Sequence, residues 1–172
     1  MTINRESPKK ILFYFLITVG LVFSSTSYAN FNPNSWAKFC NPNNEVEELN
    51  CSIGVNSLSP SDDKQVVASV EVRKAENSKK QNITIVTVLV PLNVSLTQST
   101  QIFVDEIFAL KLIYRHCNSD MGCKATFLLN KELINKFKKG KNLNLIFFAY
   151  GVEKPYRINF PLKNFTKAYK EL

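Results

Sequence analysis

The sequence predicts a mainly β protein: an antiparallel, barrel-like β-sandwich of eight or nine strands with two short helices, one of them at the C-terminus. Three observations lead there. Short apolar runs alternate with polar residues at a period of two through most of the chain. Turn residues punctuate those runs, and no helical segment separates successive strands as a βαβ unit requires. Beyond the N-terminal leader, apolar residues recur at helical spacing in only two places, both near the C-terminus.

The N-terminal leader is expected to lie outside the fold. "MTINRESPKK" carries Arg5, Lys9 and Lys10; Ile11 to Phe23 is uncharged; "SSTSYA" then supplies small residues up to Ala29. A basic head, a short apolar middle and an S-Y-A site make a secretory signal peptide over residues 1–29, cleaved between Ala29 and Asn30. Its apolar run is shorter than the roughly 20 residues of a membrane-spanning helix. Residues 30–172 are then expected to form a single domain, large enough for its own core. The expected destination is the periplasm, with outer-membrane association or secretion as further outcomes of the same route.

The elements follow in order. Trp36, Lys38 and Cys40 alternate with Ala37 and Phe39, and "NPNN" offers strong turn chemistry. A second strand through Leu49, Cys51 and Ile53 brings two cysteines opposite each other across a hairpin. "SLSPSDDK" reads as a loop. "QVVASVEVRK" puts Val66, Ala68, Val70 and Val72 on one face, as in a half-buried antiparallel strand. In "NITIVTVLVPL", Ile83 and Ile85 share one phase while Val86, Val88 and Val90 take the other, which suggests a bulge or a strand covered on both sides.

A short strand lies around Ile102–Val104, and a longer one aligns Phe108, Leu110, Leu112 and Tyr114. "GCKATFLL" returns after a turn over 118–122. "NKELINKFKKG" changes period: Leu133, Ile134 and Phe137 form a helical stripe, with Asn130 as N-cap and Gly140 as stop. "LNLIFFAYG" and "KPYRINFPL" are two strands joined around residues 151–153. In "NFTKAYKEL", Phe165, Ala168, Tyr169 and Leu172 make an amphipathic helix with Asn164 as its cap.

Four cysteines, Cys40, Cys51, Cys117 and Cys123, follow the leader. An even count in an exported chain reads as two disulfides. Three pairings exist; Cys40–Cys51 with Cys117–Cys123 is the simplest, because each pair brackets a turn-like segment.

Candidate chemistry concentrates in "YRHCNSDMGCKATF", Tyr114 to Phe127, where the only histidine stands beside two cysteines. Zinc needs four ligands, usually in C-x2-4-C or H-x3-5-H spacings, and this segment has neither. A thiol redox centre is typically C-x-x-C at a helix start; here the cysteines flank a strand-to-strand turn. The expectation is a structural bridge closing that turn, with Gly122 supplying free φ and His116 a polar residue at a strand edge. A redox enzyme using Cys117 and Cys123 is the alternative. No G-x-S-x-G elbow and no glycine-rich phosphate loop occur among five glycines. Trp36 is expected to plug the core over the first bridge. No metal and no cofactor are expected.

The chain carries +8, of which about +6 is left after the leader is removed. Its lysines look scattered, as in Lys79-Lys80, Lys138-Lys139-Lys141 and Lys163-Lys167-Lys170. Scatter of this kind argues against a nucleic-acid partner and is compatible with weak association with an anionic membrane surface or polysaccharide.

The segments "SWAKFC…ELNC", "VPLNVSL", "IFVDEIFALKLIYRHCNSDMGCKATFLL", "INKFKKGKNLNLIFFAYG" and "FPLKNFTKAYKEL", in that order, resemble the invasion-associated locus B family of exported bacterial proteins. Residue by residue, the resemblance rests on Trp36, Cys40, Cys51, Pro91-Leu92, Asp105, Cys117, Gly122-Cys123, Pro161-Leu162 and Phe165. Asn93 and Asn164 stand where the family usually has Gly; Asn is the next best residue for a left-handed turn and a good N-cap. The resemblance implies a non-enzymatic protein of the periplasm or envelope, with a link to host-cell invasion carried by the family name. The partner implied is an envelope or host-surface component.

Overall fold

The computed structural model describes residues 33, 35–40, 51–59 and 66–172. The leader, its Ala29/Asn30 junction, the "NPNN" turn, Leu49 and most of the loop before Val66 lie outside the described residues. Among the described residues, ten strands and two helices follow in chain order: β1 Ala37–Cys40, β2 Cys51–Leu58, β3 Val66–Glu76, β4 Asn82–Val90, β5 Thr100–Val104, β6 Ile107–Leu112, β7 Tyr114–Asn118, β8 Gly122–Leu128, α1 Lys131–Lys139, β9 Asn142–Phe147, β10 Tyr156–Pro161 and α2 Phe165–Lys170. All pairings are antiparallel. One sheet has the order β1-β2-β3-β4-β8-β7, the other β10-β9-β5-β6. The fold is a sandwich of two sheets without the barrel closure the sequence suggested.

The strand count exceeds the eight or nine expected because one predicted strand is two. The run from Phe108 to Tyr114 breaks at Ile113, so β6 belongs to the small sheet and β7 to the large one. Alternation persists across such a corner, so the pattern alone does not reveal the change of sheet. Ile113 itself is 70% exposed. Strand β4 keeps unbroken register with both neighbours, so its phase change is not a bulge; Val86, Val88 and Val90 are buried on one face, and Ile83, Ile85 and Leu89 are half-buried on the other.

Register explains the core. Val55, Val70, Val88 and Ala125 line up across β2, β3, β4 and β8, and Ile53, Val72 and Val86 make a parallel row. On the facing sheet Ile158, Leu145, Ile102 and Leu110 form one row and Phe160, Leu143 and Val104 another. Most of these side chains are fully buried, each contributing about 1.5–3 kcal/mol for the larger ones. β-Branched residues suit such rows because their stiff side chains pack well on a pleated surface.

The helices close one side. Asn130 caps α1, accepting from the Leu133 amide at 2.9 Å. Gly140 ends it in extended conformation, where a Cβ would stand 2.5 Å from Val104 Cγ1; close approach, not a left-handed turn, requires glycine there. Asn164 stands at the N-cap position of α2 as expected, but its side chain does not cap the helix. It sits at φ 66°, makes no cap hydrogen bond, and donates through Nδ2 to Ser35 Oγ at 2.8 Å. Trp36 is buried, but its ring neighbour is Phe165 of α2, edge-on at 4.9 Å, while Nε1 donates to the Pro161 carbonyl at 3.0 Å.

Candidate functional site

Cys117 and Cys123 are directly opposed across β7 and β8 and are joined, as are Cys40 and Cys51 across β1 and β2, each pair with Cα atoms 4.0 Å apart. Every cysteine is therefore in a bridge and none is a free thiol. His116 is exposed on the edge strand β7, and its Nε2 accepts from Asn118 Nδ2 at 3.3 Å. Asn118 also shapes the turn, its Oδ1 accepting from the Met121 amide at 2.8 Å. No group of three or more metal-ligating side chains forms among the described residues.

What this turn does physically is press against the end of β4. Gly122 has φ +80°, and a Cβ there would lie 2.1 Å from the Val90 carbonyl oxygen. Cys123 is 1% exposed, with Sγ 3.8 Å from the Leu92 carbonyl oxygen. The bridged turn is thus a buttress for Val90–Leu92.

That segment leads into the wall of a cleft of about 590 Å³ at one end of the sandwich. Ser57 and Leu58 at the end of β2, and Val67 at the start of β3, form one side; Pro91, Asn93 and Val94 follow β4. Phe147 and Ala149, together with Tyr156, Arg157, Ile158 and Asn159, complete it. The wall is tied across by a short bridge: Val94 pairs with Ala149, the Ser95 amide donates to the Phe148 carbonyl at 2.8 Å, and the Tyr150 amide to the Asn93 carbonyl at 2.9 Å. Around it lie exposed apolar side chains: Leu92 at 47%, Tyr150 at 77% and Tyr156 at 51%, the last stacked on Phe147.

Four consecutive residues of β10 touch this cleft. Successive side chains point to opposite faces of a strand, so a cavity meeting all four runs along the strand's edge. Strand β10 ends its sheet, and among the described residues no strand pairs with its other side. Arg157 pairs with Glu106 at 3.0 Å, both side chains well exposed.

Asp105 is the joint between β5 and β6. At φ 53° it turns β5 into β6, and its Oδ1 accepts from the Lys141 and Asn142 amides at 2.9 and 3.0 Å. Its carbonyl accepts from Asn144 Nδ2, and Asn144 Oδ1 in turn from Asn159 Nδ2 of β10. Sequence reasoning missed the cleft because its walls come from five separate stretches; the alternation in "YRINF" was visible, but not that its strand is an edge.

The model of the invasion associated locus B (IalB) protein family matches residues 36–172, and the chain belongs to that family. Among solved structures, it is similar to invasion associated protein B from Bartonella henselae, at 20% identity and a TM-score of 0.64, covering 81% of this chain and 92% of that one; at that identity the likeness is one of fold. No curated protein matches the chain. Most residues that carry the resemblance fall into two packing joints and a turn: Trp36, Pro161 and Phe165 on the helical side, Pro91–Leu92 with Cys117, Gly122 and Cys123 beside the cleft, and Asp105; Cys40 and Cys51 form the other bridge.

Proposed function

We propose that this chain is an exported, disulfide-stapled binding domain without catalytic function, and that its cleft receives an extended stretch of a partner polypeptide lying along β10. The observation that carries this reading is the contact of Tyr156, Arg157, Ile158 and Asn159 with one cleft. An edge strand offers unpaired backbone donors and acceptors, and a neighbouring apolar cleft selects alternate side chains; together these are the parts of strand addition. Export is supported by the leader's composition and by two bridges, which persist in oxidising compartments. No helix among the described residues is long and apolar enough to cross a membrane. The family name supports a partner on the envelope or on a host-cell surface.

The test is peptide selection on the processed protein, followed by binding to an Ala149→Trp variant and to Val67→Trp, each checked by thermal melt. Selected peptides are expected to alternate apolar and polar residues and to bind folded variants at least about tenfold more weakly, since a filled cleft forfeits an anchor side chain. Peptides that bind both variants as well as the parent would refute the assignment.

A further inference from the structure

The positive charge of the chain is not spread as its sequence suggests. Residues 131–141 and 163–171, which contain α1, α2 and their flanks, carry eight lysines and two glutamates. The rest of the chain, with fourteen basic and twelve acidic side chains, is nearly balanced. The two stretches meet because Phe137 and Phe165 pack at 5.4 Å and Thr166 Oγ1 donates to the Lys138 carbonyl at 3.3 Å.

Between them lies a groove of about 610 Å³ lined by Lys138, Lys167 and Lys170, with Glu171 as its acidic member. All three lysines are exposed, and among the described residues none has a carboxylate partner. Lys138 Nζ sits 4.9 Å over the Tyr169 ring, and Lys38 Nζ donates to the Glu171 carbonyl at 2.6 Å, bringing a further ammonium to this side. On the other flank of α1, Lys139 and Lys136, the latter paired with Glu132 at 2.8 Å, share a smaller hollow with Asp105 and with Ile107, which is 67% exposed, and Phe108 beside it is 47% exposed.

We propose that this face docks on a phosphate-bearing anionic lipid surface, the lysines meeting headgroup phosphates and the Ile107 tip entering the interface. Clustered ammonium groups attract such a surface over about a Debye length, and an adjacent exposed apolar side chain adds burial that a soluble polyanion would not use. The face shares no residue with the cleft, so it is independent of that assignment.

The experiment uses the processed protein, purified from the periplasm of an expression host, with vesicles of phosphatidylcholine alone or with about 30% phosphatidylglycerol. Partition is expected only onto the anionic vesicles, falling as salt rises. Combined Lys138→Gln, Lys167→Gln and Lys170→Gln should lower it roughly a hundredfold, at about fivefold per lysine. The same three-charge change at Lys74, Lys79 and Lys80 on the β3–β4 hairpin should lower it less than fivefold. Ile107→Ser should weaken vesicle binding severalfold and leave binding of inorganic tripolyphosphate unchanged. Equal binding to both vesicles, equal loss in the two triple variants, or tight tripolyphosphate binding with Ile107 irrelevant to vesicles would each overturn the proposal.

Discussion

Gly122 shows how a single residue ties the bridged turn to the cleft. Its positive φ disfavours any side chain, and the Val90 carbonyl occupies the place a Cβ would take. Gly122→Ala is expected to cost about 2–3 kcal/mol, from left-handed strain and displacement of the β4 end together; urea unfolding measures it. Tyr114, at the start of β7, makes a second residue-scale test. Burial pushes its phenol above the ordinary value, against the opposing hydrogen bond with Thr100 Oγ1. A raised folded pKa means that the neutral form is favoured in the fold. The contribution is therefore present below the unfolded value near 10 and lost as pH rises through the folded one. Tyr114→Phe should lose about 1 kcal/mol at neutral pH and decline less steeply than the parent above about pH 10. Parallel pH-dependent melts of the two proteins check it.

At the scale of elements, α2 is held by rings. Phe165 is fully buried and contacts Trp36, Phe137 and Tyr169. Phe165→Ala should destabilise by about 3–5 kcal/mol, and Phe165→Leu by distinctly less; a larger loss for Leu would place the stabilisation elsewhere. The helices themselves were legible in the sequence, since Leu133, Ile134, Phe137 and then Phe165, Ala168, Tyr169 obey a local period, as were most strands. The break at Ile113 was not, because alternation continues through a corner between sheets. Asn164 holds the N-cap position and the left-handed turn that the sequence allows it, but the missing side-chain cap bond was not legible, because Asn serves equally well as cap or left-handed residue. The cleft and the lysine face were illegible for one shared reason. Both depend on which distant elements become neighbours, as when Phe137 against Phe165 turns two separate lysine groups into one surface.

For the whole molecule, the two bridges staple opposite regions of the larger sheet, and they are not equivalent. Each closes a short loop and should contribute about 2–3 kcal/mol. The Cys117–Cys123 bridge backs Val90–Leu92, whereas Cys51 begins β2 and the cleft lies at that strand's other end, at Ser57 and Leu58. Paired replacement of Cys117 and Cys123 by Ala should therefore weaken ligand binding more than the Cys40, Cys51 pair, at similar loss of stability. Binding isotherms and melts of the two variants compare them. The central claim is that a partner strand adds along β10. It is tested most directly by amide hydrogen exchange of the processed protein with and without a selected peptide. The account predicts slowed exchange in the amides of Tyr156 to Phe160 and around Asn93–Ser95, with β6 and β7 unchanged. Protection confined to β6 and β7, with β10 exchanging as in the free protein, would contradict it.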